Sequence, residues 1–76
     1  MKRPIWQIAD EIRKDWTKPY FGAVPYLDAM FSLTSIEDNY GLDTGRSIVL
    51  YFLANAQTYR GEKARAIKAE LKEILK

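Results

Sequence analysis

The chain contains neither cysteine nor histidine. Its 76 residues must therefore fold without a disulfide or a zinc staple, and a hydrophobic core alone has to hold them together. A chain this short buries a smaller share of its surface than a large domain does, so little is left over for a large active-site cavity. The same two absences exclude cysteine nucleophiles and every histidine-based triad. One domain spanning residues 1–76 is expected. The missing thiols fit a reducing compartment.

The residue balance is that of a folded globule, with 47% apolar and 29% charged positions, which argues against disorder. Met1-Lys2-Arg3-Pro4 is a basic start of the kind that opens a signal peptide. Gln7, Asp10 and Glu11 arrive before any apolar run forms, so a leader is not expected. The longest apolar run, Ile48 to Ala54, is seven residues, against the roughly 20 needed to cross a bilayer. A soluble cytoplasmic protein with no membrane contact is expected.

Periodicity predicts an all-α domain of four helices, three long and one short, in an orthogonal or bundle-like arrangement. Ile5, Ile8, Ala9, Ile12 and Trp16 recur at three- and four-residue spacing and define a first helix from Pro4 to Trp16. Thr17-Lys18-Pro19 stops it. Trp6 falls off the apolar stripe, beside Arg13. Pro19, Gly22 and Pro25 punctuate an apolar loop at 17–24 that should be pinned to the core. A short helix follows from Pro25 to Leu33, with Leu27, Met30 and Phe31 facing inward. Thr34 and Glu37 have capping-box spacing for another turn, and Asp38-Asn39-Tyr40-Gly41 reads as a turn. Asp43 or Thr44 caps a third helix over 45–57 that is apolar all round and is expected to be central and buried, with Leu50 and Leu53 both inside. A strand is the rival reading for Ile48–Phe52, but no second strand-like run exists to pair with it. Ala64, Ile67, Leu71, Ile74 and Leu75 form the stripe of a last helix over 59–75, with Thr58 as its cap or Gly61 marking a break.

Motifs of enzymes do not appear. Gly45-Arg46-Ser47 is half a nucleophile elbow, but Val49 stands where glycine is needed and no base exists for the serine. With Gly41 at the EF-hand glycine, Ile36 and Tyr40 occupy carboxylate positions, so calcium is not expected. A helix-turn-helix centred on Gly61 puts polar Arg60 at a buried position. No catalytic residue, metal ligand, cofactor or small-molecule substrate is expected, and the protein is read as non-enzymatic.

Two surfaces are left as candidates. Net charge is only +2, but both ends are basic and the middle is acidic. On the last helix Arg65, Lys68, Lys72 and Lys76 share an arc beside the apolar stripe, an arrangement that suits phosphate contact or, more blandly, a solvated face touching the acidic 37–43 loop. Aromatic residues make up 13% of the chain. Trp6, Tyr20 and Phe21 are placed at edges or loops and form the candidate protein interface. Asn55, an amide on the third helix level with Ile48 and Phe52, is expected to bind the backbone of the 17–24 loop.

The words Ala23-Val24-Pro25-Tyr26-Leu27-Asp28-Ala29-Met30, Tyr40-Gly41-Leu42-Asp43, Phe52-Leu53-Ala54-Asn55-Ala56, Tyr59-Arg60-Gly61-Glu62 and Ile67-Lys68-Ala69-Glu70-Leu71 resemble small uncharacterised helical proteins of bacteria and their bacteriophages. The resemblance covers most of the chain. It implies a compact helical protein and a phage-related, mobile-element setting, and it brings no activity. The leading expectation is an interaction module that binds protein or itself. The alternative is a nucleic-acid-associated accessory protein that uses the basic last helix.

Overall fold

The structure, a computed structural model, describes residues 3–76; Lys2, counted in the basic N-terminus, lies outside them. Four helices hold 57% of the described residues. They are α1 (Ile5–Asp15), α2 (Val24–Met30), α3 (Gly45–Ala54) and α4 (Glu62–Leu75), with two short strands, β1 (Asn39–Tyr40) and β2 (Asp43–Thr44), between α2 and α3. The domain is therefore mostly helical rather than purely all-α. The strands pair antiparallel, Asn39 with Thr44 and Tyr40 with Asp43, around Gly41 at φ 63°. Among the described residues, no helix is long and apolar enough to cross a membrane.

The stripes of α1 and α4 do what their spacing predicts. Ile5, Ile8, Ala9 and Ile12 from α1 and Ala64, Ile67, Leu71 and Ile74 from α4 are buried. Between them α2 contributes Leu27, Ala29 and Met30, and α3 contributes Ile48, Val49 and Phe52. Trp16 meets Phe52 edge to face at 6.3 Å. Leu33, Ala56 and Tyr59, outside the helices, complete the core.

Several boundaries differ from the sequence reading. Pro4 caps α1 instead of entering it, and its carbonyl accepts from Gln7 and Ile8. The first two amides of α1 are finished by distant chain: Ile5 donates to the Thr34 carbonyl at 3.0 Å and Trp6 to that of Leu33 at 2.9 Å. Residues 34 and 35 form no helical turn. Both amides donate to one Asp38 carboxylate oxygen, at 2.7 and 3.2 Å. Thr44 caps α3, its hydroxyl oxygen accepting from the Ser47 amide at 3.1 Å, and Ser47 is a first-turn residue. Asn55 ends α3 earlier than expected. Gly61, at φ 118°, opens α4 and leaves Tyr59 and Arg60 outside it.

The central, all-round burial expected of the third helix is wrong. The molecule measures 29 × 28 × 18 Å, and its short axis admits only two helices in depth at the usual 8–10 Å separation. No helix can be surrounded in two layers. One side of α3 packs on the core, Leu53 is half-buried, and Leu50 and Tyr51 face outward. Phe31 is also exposed, lying under the Arg13 guanidinium 5.2 Å from the ring centre, while Arg13 pairs with Asp28.

Candidate functional site

The outer side of α3 is an apolar strip. Leu50, Tyr51 and Ala54 lie within about one turn of one another and are exposed. Tyr26 of α2 flanks them, its ring 5.4 Å from that of Tyr51. At the C-terminal end of α3, Tyr20 borders the same depression as Ala54, Asn55, Gln57 and Thr58. Phe21 leans on Tyr20 with ring centres 4.8 Å apart. From Ser47 to Tyr59 the sequence carries no charged residue, so nothing ionic interrupts the strip on the α3 side.

The loop that carries Tyr20 is held tightly. A Cβ at Gly22 would stand 2.6 Å from the Tyr20 ring and 3.0 Å from the Asn55 amide oxygen. Asn55 thus sits against the loop, but its side-chain NH₂ donates to the Tyr51 carbonyl of its own helix at 2.9 Å. The expected bond to the loop backbone is not among its contacts. The end of α3 is sealed by its own amide instead.

The expected interface residues do not come together. Tyr20 and Phe21 are exposed and lie against each other with their rings inclined by 54°. Trp6 is exposed on α1, where its amide binds Leu33, and among the described residues its ring stacks on no other. The sequence reading missed Leu50 and Tyr51, and left Tyr26 out of the candidate interface. The available signal was the charge-free run itself, which is too wide for a two-layer domain to cover.

A second surface runs along α4. Arg65, Lys72 and Lys76 are exposed, Lys72 in its last turn and Lys76 just past it, and Lys68 is half-buried. The Lys68 ammonium donates to the Tyr59 carbonyl at 2.6 Å and lies 5.8 Å from the centre of the Tyr59 ring. Burial lowers its pKa, and the like charges of Lys72 and Arg60 lower it further. Arg60, which the sequence reading left out, lines a shallow depression of about 290 Å³ with Tyr59, Gly61, Arg65 and Lys68. Lys76 belongs elsewhere: it pairs with Glu73 at 3.2 Å.

The acidic groups of α4 face other partners. Glu70 takes a two-pronged bond from Arg3, at 2.9 and 2.6 Å, and Arg3 also reaches Glu11 at 3.0 Å. These bonds hold the Glu70 carboxyl below its ordinary pKa and raise that of Arg3. Among the described residues no ion pair joins the basic face of α4 to the 37–43 loop.

Comparison with protein-family models, with curated proteins and with solved structures finds no match to this chain.

Proposed function

We propose that the protein is a non-enzymatic interaction module that docks through the apolar strip on the outer side of α3, with a second copy of itself as the occupant. The observation that carries this reading is the continuity of Leu50, Tyr51, Ala54, Tyr26, Tyr20 and Phe21 without a charge along α3. The strip offers surface rather than chemistry: apart from phenol hydroxyls it has no group that titrates.

Area supports the reading. Phe21 is 79% exposed, Tyr51 50%, Leu50 49% and Tyr20 44%. At about 200 Å² per large side chain, these four present on the order of 450 Å². The largest apolar patch on a typical monomer is roughly 300–600 Å² and is often a functional surface. A standard interface needs about 800 Å² per partner, and exposed Pro25, Gln57 and Thr58 adjoin the strip. Self-pairing is favoured because a two-fold interface brings the same patch of both copies together. Like charges would repel there, and the α3 side of the strip has none.

Sedimentation from micromolar to millimolar protein tests the proposal. A dimer should form, and Tyr51→Glu should abolish it by placing two carboxylates in the contact, with its circular dichroism unchanged. Trp6→Ala should leave association intact, because Trp6 lies on α1 beside Leu33. A wild type that stays monomeric throughout, or a Tyr51→Glu variant that dimerises as well as wild type, overturns the proposal.

A further inference from the structure

We infer that the basic face of α4, built from Arg60, Arg65, Lys68 and Lys72, binds the phosphodiester backbone of double-stranded nucleic acid without reading its sequence. The inference is independent of the apolar strip and uses none of its residues.

Three observations converge on it. The first is sorting. Cations and carboxylates alternate along α4 in sequence, yet the fold separates them. Glu70 is drawn to Arg3, Glu73 to Lys76, and Glu62 lines a depression with Arg3, Glu11, Lys63 and Glu70. Among the described residues no carboxylate pairs with Arg60, Arg65, Lys68 or Lys72. A surface without a role in binding gains nothing from leaving four cations side by side, and like charges one turn apart cost a few tenths of a kcal/mol each.

The second is anchoring. Lys68 is fixed by its bond to the Tyr59 carbonyl, and an ammonium has three donors, so two remain for an anion. The Arg60 Nε donates to the Gln57 carbonyl at 3.4 Å, which leaves its terminal nitrogens available. The two charges nearest the depression are thus partly positioned before any ligand arrives, which reduces the entropy lost on binding.

The third is spacing. Arg65, Lys68 and Lys72 recur about once per turn, and the row from Arg65 to Lys72 is about 10 Å long. Measured along the duplex axis, each strand presents a phosphate about every 3.4 Å, so the row spans about three such steps and Arg60 extends it. The geometry also selects the kind of nucleic acid. Single strands are held by exposed rings on which bases stack. The one ring at this face, Tyr59, is buried and stacked on Trp16, so backbone contact is what remains.

Fluorescence anisotropy with a labelled duplex of mixed sequence, about two helical turns long, decides the matter. Four contacts give a log–log salt slope of about −3.6, a loss of roughly a hundredfold between about 50 and 200 mM salt. Arg65→Glu with Lys72→Glu should bring the slope to about −1.8 or shallower and weaken low-salt binding by more than about tenfold. Both side chains are exposed and Glu is a good helix former. If that pair unfolds, Arg65→Gln with Lys72→Gln removes the charges without reversing them. Lys14→Glu with Lys63→Glu changes net charge equally on another face and should alter binding less than about threefold, by the same counting of contacts. Equal losses in the two double variants, no salt-dependent binding by wild type, preference for a single strand of the same length, or capture by phosphatidylglycerol vesicles but not by duplex would each overturn the inference.

Discussion

The indole of Trp16 lies flat on the phenol ring of Tyr59, with centres 5.0 Å apart and planes inclined by 18°. This stack ties the end of α1 to the segment before α4, across 43 residues of chain. The Tyr59 hydroxyl extends the tie by donating to the Asp15 carboxylate at 2.9 Å. Burial, and then the bond to Asp15, raise the Tyr59 pKa above its ordinary value.

Replacing Tyr59 by Phe keeps the stack and removes the hydroxyl. The expected loss near neutral pH is about 1 kcal/mol, because Asp15 is exposed and water takes the place of the phenol. In the unfolded chain Tyr59 ionises near pH 10, whereas in the fold it ionises later. The contribution of its hydroxyl is thus complete below about pH 10 and falls as pH rises beyond it. Urea titrations of both proteins should show their stability gap narrowing in that alkaline range. A gap that does not change there would show that the hydroxyl is not held as described.

The two sides of α3 should respond oppositely to truncation. Phe52 is fully buried, so Phe52→Ala should cost about 3–5 kcal/mol and leave much of a domain this small unfolded. Leu50→Ala should change stability by less than about 0.5 kcal/mol, as exposed positions do. Thermal melts of dilute protein measure both. Similar costs at the two sites would reverse the placement of the helix.

Gly45 presses its α-carbon against the preceding loop. A Cβ there would stand 2.7 Å from the Ser35 carbonyl oxygen and 2.9 Å from the Ile36 α-carbon. Both are backbone, and the Gly45 and Arg46 amides bind the carbonyls of Asp38 and Ile36 in the same loop. Gly45→Ala should therefore destabilise by about 1–3 kcal/mol despite alanine's better helix propensity. A gain in stability would mean that the loop can give way.

Acid should loosen the N-terminal strap. The bonds from Arg3 depress the Glu70 pKa, so the unfolded chain takes up that proton first. The stabilisation is present above the ordinary glutamate range, about pH 4.3, and is lost as pH falls through the lower folded value. Glu70→Gln should lower the melting temperature near neutrality and flatten its decline below about pH 4.5. Parallel declines in the two proteins would remove Glu70 from the acid response.

The outer helices were legible because each has one apolar stripe and a charged remainder. The buried residues of α1 and α4 are those that the spacing of Ile5 to Ile12 and Ala64 to Ile74 marks out. Helix α3 was not legible in the same way. Leu50 and Tyr51 are as apolar as Val49 and Phe52, and hydropathy alone cannot say which side of such a helix meets the core; the thickness of the domain decides it. The hairpin escaped notice because its strands are two residues each and are set by Gly41 and by the Asp38 carbonyl that receives the Gly45 amide, not by strand propensity. In the candidate site, Tyr20 and Phe21 were visible as loop aromatics. Arg60 was not, because it joins the basic face through the bend at Gly61, which helical spacing does not describe.

The amides of Ile5 and Trp6 find their acceptors at Thr34 and Leu33, and this bears on the order in which the protein is made and folds. While the ribosome has released only the segment before residue 33, α1 has its full apolar stripe but lacks the carbonyls that complete its first turn. An isolated helix of 11 residues is marginal in water even with good composition. The start of α1 thus has to wait for chain synthesised almost thirty residues later, and an emerging N-terminal fragment should flicker rather than hold its helix. The arrival of Leu33 supplies a core side chain and a hydrogen-bond acceptor together, so docking of α2 and locking of α1 become a single event.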